Sequence, residues 1–108
     1  MTGLKPDLYD IYTDANPASV SANFYVKHNR PDAVLTIRLE IYDLLGRMVW
    51  STTQTGRSDL NTSFPISWDL TDLGGHRVPR GIYVYRALVS TDGEREATKS
   101  RKIAVTAQ

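Results

Sequence analysis

The stretch AVLTIRLEIYD, residues 33–43, alternates Leu35, Ile37, Leu39 and Ile41 with Thr36, Arg38, Glu40 and Tyr42. A period of two puts one set on each face of an extended chain, so the stretch predicts a strand with one face in a core and the other in water. VSANFYVKHN, residues 20–29, repeats the pattern, with Val20, Ala22, Phe24 and Val26 on one side and Ser21, Asn23 and Lys27 on the other. Between them RPDA supplies Pro31 and Asp32, which favour a tight turn and predict that the two strands pair as an antiparallel hairpin.

The remaining strands follow on either side. LYDIYTD, residues 8–14, is a short strand stopped by Asn16-Pro17. After Asp43 a turn over Leu44–Gly46, with Gly46 supplying a positive φ, leads into a strand through Met48, Val49 and Trp50. The polar run TTQTGRSDLNTS, residues 52–63, reads as a loop. FPISWDL turns Ile66, Trp68 and Leu70 inward and Ser67 and Asp69 outward, and Pro65 confines it to a sheet edge or a strand start. GIYVYRALVST and REATKSRKIAV form the last pair, joined at Asp92-Gly93, the strongest hairpin signal in the chain. That makes seven strands and no sustained helical period. One-sided sheets must cover each other, so the expected fold is an all-β, Ig-like sandwich of about seven antiparallel strands.

Composition narrows the function classes. A chain of 108 residues is the size of one domain. We expect residues 1–7 to be a leading segment or linker and residues 8–108 to be the domain. Thirteen Lys and Arg against twelve Asp and Glu leave a formal charge of +1, without the basic footprint of a nucleic-acid binder. There is no apolar run of membrane-spanning length. With no cysteine, neither a thiolate nucleophile nor a Cys-based zinc site can be built, and His28 and His76 stand in no short-spaced ligand pair.

Asp69, Asp72 and His76 in DLTDLGGHRVPRGIYVYR, residues 69–86, are the best raw material for acid–base chemistry, but no strained G-x-S-x-G turn offers a nucleophile. Asp69, Asp72 and Asn61 are oxygen donors in loops, yet they lack the EF-hand order, and Asp with Gly is the ordinary composition of a turn. Asn61-Thr62-Ser63 fits a glycosylation acceptor and reads as surface loop. Trp68 and Tyr85 are expected in the core; Tyr25 and Tyr42 fall on the polar faces of their strands and are candidates for an exposed contact patch. Lys99, Arg101 and Lys102 surround the last strand, as a solvated edge or as a recognition tag.

Taken together, IYDLLGRMV, WDLTDLGGHRVPRGIYVYR and KSRKIAV resemble the Ig-like C-terminal domains of the type IX secretion system, a pattern close to flagellar hook-cap Ig domains. Asp43, Gly46 and Arg47 match the family's first turn, and Trp68, Asp69, Gly75, Val78, Gly81, Tyr83 and Tyr85 match its long block. Lys99, Lys102, Ile103 and Val105 match its terminal region. Within the family the chain is most similar to the domain of the sortase, a cysteine-peptidase-like protein. Two features depart from the pattern: Ala15-Asn16-Pro17 lacks the first proline of P-N-P, and Thr106-Ala107-Gln108 follows the basic-apolar strand.

The resemblance implies a non-catalytic domain with no cofactor and no metal. Its partners would be protein components of the secretion or attachment machinery, with no nucleic acid and no direct membrane span, and its location would lie between periplasm and outer-membrane surface. The candidate partner contacts are Tyr25, Tyr42, Lys99, Arg101 and Lys102, or an exposed strand edge. Two alternatives stand beside this reading: a cleavable sorting domain of an exported cargo, and a structural or adhesive Ig-like module that binds glycans. In the block itself, G-x-Y-x-Y places Tyr83 at the tyrosine corner of an Ig-like sandwich, its hydroxyl bonding back to upstream backbone, with Tyr85 inward two residues later.

Overall fold

A computed structural model describes residues 8–28, 33–58, 62–91 and 97–106. Seven strands run in chain order: β1 (Leu8–Thr13), β2 (Ala22–His28), β3 (Ala33–Tyr42), β4 (Met48–Ser58), β5 (Ile66–Trp68), β6 (Gly81–Thr91) and β7 (Ala97–Val105). They form a β-sandwich of a three-stranded sheet, β1-β2-β5, over a four-stranded sheet, β4-β3-β6-β7, with antiparallel neighbours throughout. The all-β expectation and the strand count hold. Residues 1–7, the turn around Pro31 and the Asp92-Gly93 connection lie outside the described residues.

The inward phase of β2, β3 and β5 is the one their periods predict. Leu35, Ile37, Leu39 and Ile41 of β3 meet Ala22, Phe24 and Val26 of β2 in one core that also takes Ile66, Trp68, Leu70, Tyr85, Ala87, Val89, Ile103 and Val105, all buried. Phe24 and Tyr85 pack across the two sheets with ring centroids 4.8 Å apart, and Trp68 lies 6.2 Å edge-on from Tyr83. Such tilted and edge-on contacts are the favoured geometries of aromatic quadrupoles.

Three expectations need correction. β2 and β3 are not a hairpin: β2 pairs with β1 and β5, β3 pairs with β4 and β6, and the connection between them crosses from one sheet to the other. Each has one apolar face, and facing each other across the sandwich buries both, whereas a hairpin would have left a second layer to be found elsewhere. The polar loop after Trp50 is, as far as Ser58, strand; β4 pairs with β3 from Ala33↔Ser58 to Ile41↔Trp50. It lacks an apolar phase because it is an edge strand whose inner face is only partly covered. Val20 lies before β2 and is exposed, not part of the inward row.

The tyrosine corner is present. Tyr83, near the start of β6, is buried and its hydroxyl donates to the Pro79 carbonyl at 2.6 Å. This ties the β5–β6 crossover to the core. Replacing Tyr83 by Phe keeps the ring and deletes the bond, so chemical denaturation should show a loss of about 1 kcal/mol, the usual net value of one hydrogen bond, with an unchanged urea slope.

Candidate functional site

At one end of the sandwich two five-residue turns have the same construction. In the first, Asp43 Oδ1 accepts from Leu45 N (2.9 Å) and Arg47 N (3.0 Å), its carbonyl accepts from Gly46 N (3.1 Å), and Gly46 sits at φ 84°. In the second, Asp72 Oδ1 accepts from Gly74 N (2.9 Å) and His76 N (3.0 Å), its carbonyl accepts from Gly75 N (3.0 Å), and Gly75 sits at φ 84°. The fifth residue returns a basic group to the acid in both: Arg47 Nε is 2.9 Å from Asp43 Oδ2, and His76 Nδ1 is 3.6 Å from Asp72 Oδ1. D-x-x-G-[RH] thus occurs twice. The φ explains the glycine, because that conformation costs an L side chain about 1 kcal/mol or more.

The acids of the 69–86 block are thereby assigned. Asp72 caps a turn, and the Asp69 carboxylate accepts from the Thr71 hydroxyl next to it. Trp68 Nε1 donates to the Thr71 carbonyl at 2.8 Å, Leu73 N to Val49 of β4 at 3.0 Å, and Val78 N to Leu70 at 2.9 Å, so the block is docked at three points. Leu70 holds a φ of 63° although it is not glycine, with its side chain fully buried. Asp69, Asp72 and His76 do not converge on a shared point. Among the described residues no three His, Cys, Asp or Glu side chains gather as a metal site; Asn61 lies outside them. Between the two turns, Leu44, Leu45, Val49, Pro79 and Tyr83 help to line a recess of about 340 Å³, with Leu44 and Leu45 exposed at its lip.

On the outer face of the four-stranded sheet stands a network that alternation does not reveal. Glu40 is buried on the face that should meet water, because Arg38 Nε (2.8 Å) and the Tyr42 hydroxyl (2.9 Å) donate to its two oxygens and lie over it. Arg86 Nε is 3.0 Å from Glu40 Oε1, an ion pair by distance, yet its N–H is aimed at no acceptor. Burial alone would raise the Glu40 pKa. The hydrogen bonds from Arg38 and Tyr42 and the two guanidinium charges outweigh it and hold the carboxyl below its ordinary value.

The five candidate contact residues occupy three places. Tyr25 is on the outer face of the three-stranded sheet, stacked on Tyr12 at 5.2 Å. Tyr42 is committed to Glu40 on the opposite side of the molecule. Lys99 and Arg101 reach from β7 across to Asp10 of β1, at 3.8 and 3.0 Å, and join the two sheets along one side. Lys102 is exposed on the outer face, opposite Val84.

Nor is the second half of β7 a free edge. Ala18 N donates to Ala104 (2.8 Å), Thr106 N to Ala18 (2.8 Å) and Asn16 Nδ2 to Lys102 (3.2 Å), while Asn16 Oδ1 accepts from Ala104 N (3.0 Å). Arg77 Nη2 then binds the Ser19 and Thr106 carbonyls at 2.9 and 3.0 Å. Residues 16–18 are in effect a short parallel strand on β7.

Stability should depend on pH at both limits. Asp14, Glu40, Asp43 and Asp72 are all held below their ordinary values, Asp43 and Asp72 chiefly by the backbone N–H groups of Arg47 and His76. A depressed folded pKa gives stability that is present above the unfolded value, about 4 for a carboxylate, and is lost as pH falls through the folded one. Tyr42, Tyr83 and Tyr85 are raised, first by burial, so their contribution is present below about 10 and is lost as pH rises beyond it. Urea midpoints should therefore be flat from pH 5 to 9 and fall on either side. In Asp43→Asn/Asp72→Asn, which keeps both acceptors without the charge, the acid limb should be shallower; an unchanged limb would remove the two turns from this account.

Several solved structures share the frame on which these sites are built. No protein-family model and no curated protein matches the sequence. Among solved structures, FlgD of Xanthomonas campestris, described for hook capping in flagellar assembly, superposes with TM-score 0.63 at 19% identity over 93% of this chain and 67% of its own. The β-glucuronidase of Parabacteroides merdae superposes with TM-score 0.64 at 13% identity over 94% of this chain and 14% of its own. Both show the fold alone. PorU from Porphyromonas gingivalis, the type IX secretion sortase, solved as a dimeric latent protein, superposes with TM-score 0.83 at 35% identity. That alignment takes in 100% of this chain and 10% of PorU, so the chain spans about a tenth of that protein. Identity and superposition agree with the resemblance seen in the turn and tyrosine blocks: the chain is a β-sandwich domain like one found in PorU.

Proposed function

We propose that this domain is a non-catalytic docking module of a type IX secretion sortase, which holds its parent protein to secretion or attachment partners at the outer-membrane surface. The observation that carries the reading is the 35% identity to a PorU domain along the entire chain. The acids and the histidine that offered catalysis act instead in turn construction, which leaves surfaces to do the work. Residues 8–108 are then the domain, and the peptidase chemistry belongs to another part of the parent protein.

The experiment replaces residues 8–108 in the parent protein with an unrelated sandwich domain and follows surface delivery of exported cargo. Delivery should fail while the parent protein is still made and folded. Undiminished delivery would refute docking. Mass spectrometry of the mature surface protein separates machinery from cargo, since a cargo sorting domain is cut off on arrival and a sortase keeps residues 8–108.

A further inference from the structure

The Glu40 network is out of electrical balance. Two guanidinium groups, Arg38 and Arg86, lie against one carboxylate, at 2.8 and 3.0 Å. Arg38 Nε and the Tyr42 hydroxyl already supply its hydrogen bonds, one to each oxygen. Arg86 Nε is buried and its N–H points at no acceptor, so Arg86 gives Glu40 its charge without a bond. A buried donor left unmade is costly, and in a native fold such a group asks for an explanation. The rest of the guanidinium reaches solvent: the Arg86 side chain is 42% exposed where that of Glu40 is 7%.

Register sets what surrounds that charge. On the outer face of the four-stranded sheet Arg86 stands between Glu40 of β3 and Ser100 of β7, and the next row holds Val84 between Tyr42 and Lys102. Successive rows on one face are about 7 Å apart and neighbours within a row about 5 Å, so Arg86, Ser100 and Lys102 can reach one point. There the surface is hollowed. Tyr42, Val84, Arg86 and Ser100 line an open depression of about 440 Å³ against Leu44 of the first Asp turn. Ser100 and Lys102 are exposed, and Lys102 adds a second uncompensated positive charge. Cationic and hydroxyl donors thus stand on one side of the hollow, and the aliphatic surface of Val84 and Leu44 on the other.

The group that suits this arrangement is a carboxylate on an aliphatic stem. The free edge of a guanidinium offers parallel N–H groups that match the two oxygens of a planar carboxylate, and a hydroxyl and an ammonium can add to the same grip. A phosphate dianion fits less well. Asp43, kept ionised by its turn, also borders the hollow, and the Glu40 carboxylate lies beside it, so a second negative charge on the ligand would be repelled.

We propose that the depression between β6, β7 and the Asp43 turn binds a carboxylate of a partner protein, an acidic side chain or a chain end. Arg86 grips the carboxylate with Ser100 and Lys102 beside it, and the aliphatic stem lies on Val84 and Leu44. This rests on the docking reading and names one contact that performs it. Glu40 is then a positioning residue: it fixes the inner side of the Arg86 guanidinium and leaves the outer edge toward solvent, so that little side-chain freedom is lost when the acid arrives.

The test titrates the 108-residue chain with acetylated tripeptides and follows backbone amide and arginine Nε–H shifts by NMR. The probes are Leu-Glu-Leu amide, Leu-Gln-Leu amide and Leu-Ala-Leu with a free carboxyl end, with inorganic phosphate beside them. At least one of the two acids should bind at millimolar concentration, moving Val84, Arg86, Ser100 and Lys102, and its affinity should fall as salt rises. Which of the two binds tells whether the acid is a side chain or a chain end. Arg86→Gln should weaken binding on the order of tenfold. Ser100→Asp, which sets a carboxylate opposite Arg86 from within, should block the site and keeps the test decisive if Arg86→Gln lowers stability. The neutral peptide binding as well as the acids, phosphate binding as tightly as either, or no shift at these residues with millimolar peptide would overturn the proposal. In the parent protein, delivery lost on domain replacement but normal in Arg86→Gln would leave docking intact and remove this contact from it; normal delivery in both would refute docking itself.

Discussion

Replacing Trp68 by Ala should cost 3–5 kcal/mol, roughly the effect of deleting a buried aromatic ring, against a total of about 5–15 kcal/mol for a domain of this size. Trp68 is fully buried and ends a strand of three residues. Ile66 and Trp68 are the only side chains β5 sends inward, so the ring anchors both the strand and the crossover that follows. Trp50 of β4 is 6.2 Å away on one side and Tyr83 of β6 is 6.2 Å away on the other, so one cavity would loosen both sheets. The indole N–H also holds the Thr71 carbonyl, and the next residues carry the Asp72 turn and the Val78 bond that bring the chain to Tyr83. Trp68→Phe refills most of the volume without the donor and should cost about half as much. Urea denaturation of the three proteins measures this. A loss below about 1 kcal/mol for Trp68→Ala would mean that the block is held elsewhere.

How much of this was legible beforehand depends on how local the physics is. Alternation assigns a face, so Leu35 to Ile41 and Ile66, Trp68 and Leu70 were placed correctly from side-chain order alone. Alternation does not name the partner strand, and that is why β2 and β3 read as a hairpin although they face each other across the core. An edge strand has little core to fill, and Ser51–Ser58 of β4 therefore has the composition of a loop. The Asp72 turn is legible in the sequence, since Asp72-Leu73-Gly74-Gly75-His76 repeats the pattern of Asp43-Leu44-Leu45-Gly46-Arg47. Nothing local announced Glu40 as buried, or Asn16 and Arg77 as clamps. Glu40 is covered by Arg38 and Tyr42, two residues away on either side, where alternation only assigns a wet face; the partners of Asn16 and Arg77 are distant in sequence, and three of those bonds end on backbone carbonyls, which carry no residue identity.

The basic, apolar last strand reads as a detachable tag, yet removing residues 99–108 should unfold the domain outright. β7 pairs with β6 from Gly81↔Val105 to Val89↔Ala97, and the loss would expose a β6 that alternates buried Tyr83, Tyr85, Ala87 and Val89 along a new edge. Ile103 and Val105 leave the core; fully burying such side chains contributes about 1.5–3 kcal/mol each. Residues 16–18 lose their ladder, Arg77 loses the Thr106 carbonyl, and Asp10 loses both of its cations, so the β1 side of the sandwich opens as well. Even before the ladder bonds are counted, the two side chains approach the lower end of the stability of a domain of this size. Circular dichroism should report loss of the sheet signal, and the truncated chain should aggregate through β6. It follows that a secretion defect after such a deletion says nothing about recognition by Lys99, Arg101 or Lys102. Point substitutions distinguish the roles. Arg101→Ala removes the tie to Asp10 and should lower stability, whereas Lys102→Ala touches only the outer face and should leave the urea midpoint within about 0.5 kcal/mol of the parent, so that any change in partner binding it brings is a change in the surface. A folded, cooperative truncated domain would show instead that β7 is an accessory to a six-stranded core.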